Sequence, residues 1–232
     1  MGVPDPSNSV QATLTEAQRR APSHPVKKLN LQATNVDILP RKNESGTALQ
    51  KHVEFFDRDG DGVIYPNETF QAMSALGFNW FICGMTALAF HILHLSYFTQ
   101  DSWIPNPKLP VYIKNISAAK HGSDTNTYNA DGEFVKQNYD RIFEKFDLNK
   151  KGGLYFSEIV TMWRANRGVL DPVGLIFQVF LWTYLWAIAA DEQGVLHKES
   201  VWKQYDGTLF YEVEASRKAG NVLPWYRGGH LW

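Results

Sequence analysis

The stretch DRDGDGVIYPNE, residues 57–68, fits the twelve-residue calcium-binding loop of an EF-hand position by position. Loop positions 1, 3, 5, 7 and 12 are occupied by Asp57, Asp59, Asp61, Val63 and Glu68. Carboxylates at the first three of these positions can converge on one cation, and the final glutamate can supply two more oxygens. Position 7 contributes only its backbone carbonyl, so a valine is acceptable there. The sequence therefore predicts a Ca²⁺ site, with Mg²⁺ as the competing occupant.

Two further loop positions favour the same interpretation. Gly62 stands at position 6, where the chain turns sharply and a Cβ atom is expected to be in the way. Ile64 at position 8 suits the short β-contact that EF-hands make with each other. An acidic surface turn would account for isolated aspartates, but not for so many loop positions filled in register.

Helical patterns flank this loop. Thr47 and Gln50 are spaced as a capping box, and an apolar stripe with helical spacing follows them. The stripe consists of Leu49, His52, Val53 and Phe56. A lone histidine in such a stripe is usually a packed core residue, so spacing alone favours a structural role for His52. The helix after the loop is predicted to end near Gly77.

Residues 147–158, DLNKKGGLYFSE, form a second loop of the same kind. Lys151 occupies position 5, where an oxygen ligand is needed, so we expect calcium affinity to be lost or poor. We interpret this loop as a structural hand and as a candidate partner of the first. A weaker turn at residues 191–196 resembles a worn calcium loop, and no metal is assigned to it.

The longest apolar run, residues 80–98, is followed by a turn rich in proline. Its length approaches the roughly 20 residues that span a bilayer, and Pro105, Pro107 and Pro110 forbid a continuing helix. Insertion into one leaflet and burial in a soluble core both stay open, because periodicity does not separate them. Residues 175–190 form a second apolar and aromatic segment, predicted to be a buried or lipid-facing helix.

The composition limits the function. The chain has 232 residues, a net charge of −1 and no basic stripe, so nothing indicates a nucleic-acid partner. Aromatic residues make up 14% and include eight tryptophans, which suggests an apolar ligand, a membrane interface or a large core. The single Cys83 excludes an internal disulfide and favours a reducing compartment. The polar N-terminal residues contain no apolar signal region.

These patterns predict a mainly α fold. We expect an EF-hand-like helical domain with one intact and at least one degenerate calcium loop, plus an apolar helix with a proline turn. The predicted parts are a flexible polar arm at 1–44, the domain at 45–218 and a tail at 219–232. The domain divides into the EF-hand at 45–77, the apolar segment and proline turn at 78–110, and a C-terminal helical part at 111–218.

Six stretches together resemble the caleosin family, whose members are also called peroxygenases. They are KHVEFFDRDGDG at 51–62, YP at 65–66, ALGF at 75–78, KNI at 114–116, HGSDT at 121–125 and YDGTLF at 205–210. They follow the family's order over about residues 46–218, which makes the resemblance more specific than any single motif. The proline turn departs from the family, because it keeps a Pro-x-Pro core at 105–107 without the regular spacing around it.

The resemblance implies a calcium-binding protein on the cytosolic face of lipid droplets and endoplasmic reticulum membranes, with haem b and Ca²⁺ as cofactors. It also implies transfer of one oxygen atom from a fatty-acid hydroperoxide to an unsaturated lipid, giving epoxidation or hydroxylation. The family's two haem-associated, catalytic histidines fall on His52 and His121, and the sequence does not say which is proximal. His91 and His94 occupy no family positions and keep the core interpretation.

Two other functions stay open at this point. One is a non-enzymatic, calcium-regulated protein of the lipid-droplet surface, in which the histidines only pack. The other is a soluble calcium sensor that exposes an apolar groove to partner helices. Haem content separates the enzyme from both, and flotation with lipid droplets separates these two from each other. The oligomeric state is also open, and a homo-oligomer is among the options.

Overall fold

The structure is a computed structural model that describes residues 45–220. The predicted arm at 1–44 and residues 221–232 of the predicted tail lie outside the described residues, as does the side chain of His94. The α-helices are α1 Ala48–Val53, α2 Pro66–Ala75, α3 Trp80–Phe90, α4 Ser96–Thr99, α5 Lys136–Phe146, α6 Phe156–Asn166, α7 Pro172–Ala189, α8 Lys198–Tyr205 and α9 Thr208–Lys218. The strands are β1 Val63–Ile64, β2 Val111–Tyr112, β3 Gly153–Tyr155 and β4 Val195–His197, and 3₁₀ helices cover Glu54–Phe56 and Ile113–Ala119.

The described residues form a mainly helical protein, as predicted. Its strands make two antiparallel pairs of two or three residues each, and these join loops rather than build a sheet. The main core gathers fully buried side chains from both halves of the described chain, including Phe55, Leu154, Ile159, Leu196 and Leu209. The first loop is therefore packed against the C-terminal helices and is not a separate unit.

The pairing of the loops differs from the prediction. The first loop pairs through β1 with β2, which places Ile64 opposite Val111. The second loop pairs through β3 with β4 in the third, worn loop, which places Leu154 opposite Leu196. The prediction that the first two loops are partners is therefore wrong. Packing gives the reason, because Ile64 and Val111 share a small apolar cluster with Ile116, whereas the other two leucines lie in the main core.

The apolar run after α2 forms one continuous helical segment, made of α3, a π-helical turn at His91–Leu95 and α4. The buried His91 in this turn is hydrogen-bonded through Nε2 to the Thr69 hydroxyl of α2 at 2.8 Å. Its Nδ1 lies 2.6 Å from the carbonyl oxygen of Leu109. His91 is thus a packed core residue, as predicted, and it fastens the proline turn to α2.

The second apolar segment is α7, which Asp171 caps by accepting a hydrogen bond from the Gly174 amide at 2.8 Å. Within the described residues, α7 is the helix that is long and apolar enough to cross a membrane. It packs against α3, where the rings of Phe90 and Phe177 stack at 5.0 Å. Of this 18-residue apolar stretch, 39% is buried. One side of α7 therefore belongs to the core, and the remaining surface is not covered by the described residues.

The second loop holds its own cation. The Lys151 ammonium donates to Asp147 Oδ1 at 2.9 Å and to Glu158 Oε2 at 2.6 Å, and these are the carboxylates at loop positions 1 and 12. Burial disfavours the charged forms of Lys151 and Asp147. The hydrogen bonds that these two groups make nevertheless leave the pKa of Lys151 raised and the pKa of Asp147 lowered. An ammonium group therefore stands where the degenerate loop would need a metal ion.

Replacing Lys151 with Met should lower the free energy of unfolding by about 3 kcal/mol, because two carboxylates then face each other without a cation. The pKa of Asp147 is lowered, so its contribution is present at neutral pH and is lost as the pH falls through the lowered value. The pKa of Lys151 is raised, so its contribution to stability is lost only as the pH rises through that raised value, in strong alkali. Urea unfolding from about pH 3 to pH 7 measures this against Lys145→Met, at an exposed lysine of α5. If the difference in free energy of unfolding between the two variants does not decrease in acid, the ion pair is contradicted.

Candidate functional site

The three aspartates of the first loop come together in the structure. One carboxylate oxygen from each of Asp57, Asp59 and Asp61 lies within 4.8 Å of the others. Asp57 is buried, while the other two are exposed to solvent. Three like charges at this spacing repel one another unless a cation stands between them. Carboxylate oxygens are the ligands that calcium prefers.

Backbone amides fix the first of these carboxylates. Asp57 accepts hydrogen bonds from the Gly60 amide at 2.6 Å and from the Gly62 amide at 2.9 Å. Gly62 has a φ of +87°, in the left-handed region that L side chains rarely adopt, and an added Cβ would meet nothing within 4 Å. The predicted obstruction of a Cβ is therefore wrong, whereas the predicted sharp turn agrees with the left-handed backbone angle, which is the constraint that favours glycine.

Glu68 closes the loop from the first turn of α2. It is buried, and its Oε1 accepts from the Arg58 amide at 2.9 Å while its Oε2 accepts from the Tyr65 amide at 2.8 Å. It is not a member of the three-carboxylate group. Val63 donates its amide to Asp61 at 2.7 Å. Three of the five predicted metal residues thus converge, and the other two lie in the second half of the loop, on β1 and in the first turn of α2.

The first loop is also tied to the far end of the domain. Arg58 donates both guanidinium nitrogens to Glu214 of α9, at 3.2 and 3.0 Å. Burial alone would raise the pKa of Glu214, but the hydrogen bonds from Arg58 and Lys218 hold it below its ordinary value. This bidentate pair was not predicted, because nothing local in the sequence links a loop residue to a helix more than 150 positions away.

A partly open cavity of about 220 Å³ lies beside the first loop's entering helix. Both predicted histidines, His52 and His121, line it. Its other walls are mainly apolar and come from α1, the π-helical turn, the 3₁₀ helix at Ile113–Ala119 and α7. The two histidine motifs, separate in sequence, therefore meet at one site.

His52 is held in one orientation and in one protonation state. Its Nδ1 lies 2.7 Å from the carbonyl oxygen of Gln204, so this nitrogen carries the proton and donates it. Burial lowers the pKa of His52, outweighing the hydrogen bond to Gln204 that raises it, so the imidazole is neutral at pH 7. Its Nε2 is left with a lone pair, 3.4 Å from the Gln204 side-chain amide. This is the form in which a histidine ligates a metal.

The YDGTLF motif positions the helix that carries His52. Gly207 has a φ of +80°, and an added Cβ would lie 2.4 Å from the Lys51 carbonyl oxygen. The absence of a side chain therefore lets the α8–α9 turn approach the backbone of α1. Phe210 of the same motif packs on the His52 ring, with centroids 5.2 Å apart.

His121 is positioned by Asp171, the residue that caps α7. Its Nδ1 lies 3.6 Å from Asp171 Oδ2, and the same oxygen accepts from the Ser123 amide at 2.7 Å. Burial works against the charge of Asp171, but the hydrogen bonds from Gly174 and Ser123 lower its pKa, so the carboxylate is ionised at neutral pH. Sequence reasoning missed Asp171. Its signal was the Asp-Pro pair before an apolar run, which marks a helix start.

The two histidines are suitable ligands for haem iron, but the cavity is small for a porphyrin. A neutral, buried imidazole suits iron through its unprotonated Nε2, which would exchange its 3.4 Å contact with the Gln204 amide for the metal, and a second histidine lines the same cavity. At about 220 Å³ the cavity is smaller than the roughly 300–1,000 Å³ of most ligand sites, so a porphyrin requires its walls to move apart. His52 and His121 are the residues that would hold or face the group.

Fold and site thus define a helical protein with one open calcium-type loop, one loop closed by lysine and a histidine-lined cavity. The family model described as Caleosin related protein matches residues 44–214. The chain therefore belongs to the caleosin family, and the resemblance inferred from sequence is confirmed. No solved structure matches it.

Curated relatives agree with the family. A Lilium longiflorum protein named Peroxygenase is 42% identical over 171 residues, which are 74% of this chain and 71% of that protein. Arabidopsis thaliana Probable peroxygenase 4 is 35% identical over 187 residues, covering 81% and 94%. A further Arabidopsis thaliana protein, named Probable inactive peroxygenase-like protein, is 30% identical over 185 residues, covering 80% and 82%. The predicted enzyme class, peroxygenase, is confirmed at this level.

Gly207→Ala should destabilise the protein by roughly 2–4 kcal/mol, since it adds an unfavourable φ and a clash with the Lys51 carbonyl. Gly152→Ala is the matched control, because Gly152 has a φ of +81° with nothing within 4 Å of an added Cβ. The control isolates the cost of the backbone angle. Thermal unfolding of both variants measures the difference. Equal melting temperatures would show that the turn does not press on α1.

Proposed function

We propose that this chain is a calcium-binding haem b peroxygenase of lipid droplets and endoplasmic reticulum membranes. It transfers oxygen from fatty-acid hydroperoxides to unsaturated lipids by epoxidation or hydroxylation. The observation that supports this most is that His52 and His121 line the same mainly apolar cavity. Its apolar walls suit an acyl chain, which has no polar groups to satisfy there.

The two histidines have different surroundings, so we assign them different roles. His52, neutral and oriented by the Gln204 carbonyl, is the residue that would hold the iron, through its unprotonated Nε2. His121, the second histidine on the cavity, would transfer the proton, and the nearby Asp171 carboxylate, with Oδ2 3.6 Å from Nδ1, would orient its ring and stabilise its protonated form. Haem, when bound, supplies cleavage of the peroxide O–O bond and oxygen transfer. The chain itself orients the lipid, excludes water and moves the proton at His121.

A large apolar face supports the membrane assignment. In the described residues, exposed apolar side chains lie on α3 and the π-helical turn, on the segment after α4, and on α7 with the segment before it, and α3 packs against α7. They include Trp80, Phe81, Leu88, Ile92, Trp103, Ile104, Leu170, Ile176 and Phe180. Monomeric soluble proteins rarely expose so many together. We infer that this face enters one leaflet, with the proline turn returning the chain to the surface.

Calcium fits this proposal as a structural switch for the site. Asp57 begins the loop at the end of the 3₁₀ helix that continues α1, so the loop and His52 share one short helical segment. We propose that Asp57, Asp59, Asp61, the Val63 carbonyl and Glu68 bind one Ca²⁺. Binding would remove the repulsion among the aspartates and fix the segment that presents His52.

A non-enzymatic lipid-surface protein is the second candidate. The apolar face supports it as well as it supports the enzyme, because a surface protein needs that face and no cavity chemistry. A 30% identical relative carries the name Probable inactive peroxygenase-like protein. The cavity histidines separate the two candidates, since only the enzyme needs them.

The visible absorption spectrum of the full chain reconstituted with haem tests the enzyme. We expect a Soret band in the wild type, its loss in His52→Ala, and its retention with at least about 100-fold slower peroxygenase turnover in His121→Ala. His197→Gln, at an exposed histidine of β4 that does not line the cavity, should retain the band. Wild-type protein that takes up no haem would favour the lipid-surface protein, and a band lost only in His121→Ala would reverse the two roles.

Chelation of calcium should weaken haem binding and lower the melting temperature, because the aspartates then repel and the helix bearing His52 loosens. Haem titration with calcium and with chelator measures this, and one Ca²⁺ per chain is expected because Lys151 closes the second loop. Asp59→Asn should lose the calcium response, whereas Asp131→Asn, at an exposed aspartate outside the loop, should keep it. Haem affinity that is indifferent to chelator would rule out the coupling.

A further inference from the structure

Gln178 is a polar residue in the middle of the apolar helix α7. Its side chain is 2% exposed and lines the cavity that contains His52 and His121. Within the described residues, neither its Nε2 nor its Oε1 has a hydrogen-bond partner. Buried polar groups are nearly always paired, so an amide with both ends unsatisfied needs an explanation such as a ligand.

The other polar groups around the cavity are already engaged. The Gln204 side-chain amide lies 3.4 Å from His52 Nε2, and the Thr69 hydroxyl lies 2.8 Å from His91 Nε2. The Tyr128 hydroxyl donates to the Tyr205 carbonyl at 2.8 Å. The amide of Gln178 therefore keeps both a donor and an acceptor for a molecule inside the cavity.

The helix places this amide next to His121. Gly174 lies one helical turn before Gln178, and an added Cβ there would be 2.5 Å from His121 Nδ1. The imidazole therefore covers α7 at Gly174, and Gln178 follows on the same face. Beyond it, Trp182 and Leu185 continue the cavity wall as apolar surface. Along this wall the order is histidine, amide, then a surface that suits a hydrocarbon chain.

We propose that the Gln178 amide binds the oxygen-bearing group of the lipid substrate, the hydroperoxide, in the cavity. The Nε2–H donates to a peroxide oxygen and Oε1 accepts from the terminal O–H, which holds that group beside His121 while the chain lies along the apolar wall. This inference rests on the proposed function in taking fatty-acid hydroperoxides as the substrate. It adds the residue that distinguishes an oxygenated lipid from its unoxygenated parent.

The test compares two affinities and needs no turnover. The probes are a fatty acid with a mid-chain hydroxyl, which keeps a donor and acceptor without a reactive O–O bond, and the parent fatty acid of equal length. Their dissociation constants are measured by displacement of a fluorescent fatty acid, with the full chain in haem-loaded and haem-free form. Gln178→Leu removes the amide at similar volume, and Gln137→Leu makes the same change at an exposed position on α5.

We expect the wild type and Gln137→Leu to prefer the hydroxy acid, and Gln178→Leu to reduce that preference about tenfold, as loss of one or two hydrogen bonds would. The ligand-free melting temperature of Gln178→Leu should be equal to the wild-type value or higher, because the replaced amide was unpaired. A preference that stays within about twofold of wild type overturns the assignment, and so does a clear fall in melting temperature.

Failure of the proposed function gives a different signature. A wild-type chain that develops no Soret band contradicts the peroxygenase, whatever Gln178 does. If the haem-free chain still loses its preference in Gln178→Leu, the amide is confirmed as the group that recognises the oxygenated lipid. If the wild type binds haem and Gln178→Leu keeps its preference, the enzyme stands and only the role of Gln178 is refuted.

Discussion

The hydrogen bond from the His52 imidazole to the Gln204 carbonyl is the contact on which the site depends. The helix α1 that carries His52 has six residues, too few to be stable alone, so its position comes from what it packs against. That support is the α8–α9 turn, which lies 152 residues later and approaches α1 closely because Gly207 has no side chain. The cavity therefore exists only when both ends of the domain are folded together.

The two calcium-type loops solve one electrostatic problem in different ways. In the second, Lys151 supplies a cation from within the chain, so Asp147 and Glu158 are neutralised whatever the solution contains. In the first, three aspartates lie close together, and within residues 45–220 no lysine or arginine forms an ion pair with them, so a cation from solution would lower their mutual repulsion. The permanently closed loop belongs to the C-terminal core, whereas the open one is continuous with α1. If the first loop binds Ca²⁺ as proposed, dependence on an external ion is confined to the part of the fold that presents His52.

The loops and their flanking helices could be predicted because their signals are local, such as carboxylates at fixed positions, capping residues and apolar spacing. The partner of the first loop could not be predicted, since periodicity says nothing about which distant strand a two-residue β1 will meet. The roles of Gln204, Asp171 and Gln178 were missed for the same reason. Each of these roles depends on a contact or proximity to a residue that is distant in sequence. His121 was found through the family resemblance and not through its own surroundings, which read as a polar turn.

The same helix forms a wall of the cavity and part of the apolar face, and this links substrate supply to chemistry. Leu181 of α7 lines the cavity and is also 43% exposed, so the wall at that point reaches the outer surface. Fatty-acid hydroperoxides are apolar along most of their length and partition into lipid. Under the proposed function, with the apolar face in a lipid leaflet, an opening at this point would let such a molecule enter without passing through water, with its chain in contact with apolar side chains. A cavity that opened on the polar side would lose that advantage, so the apolar face would serve delivery as well as attachment.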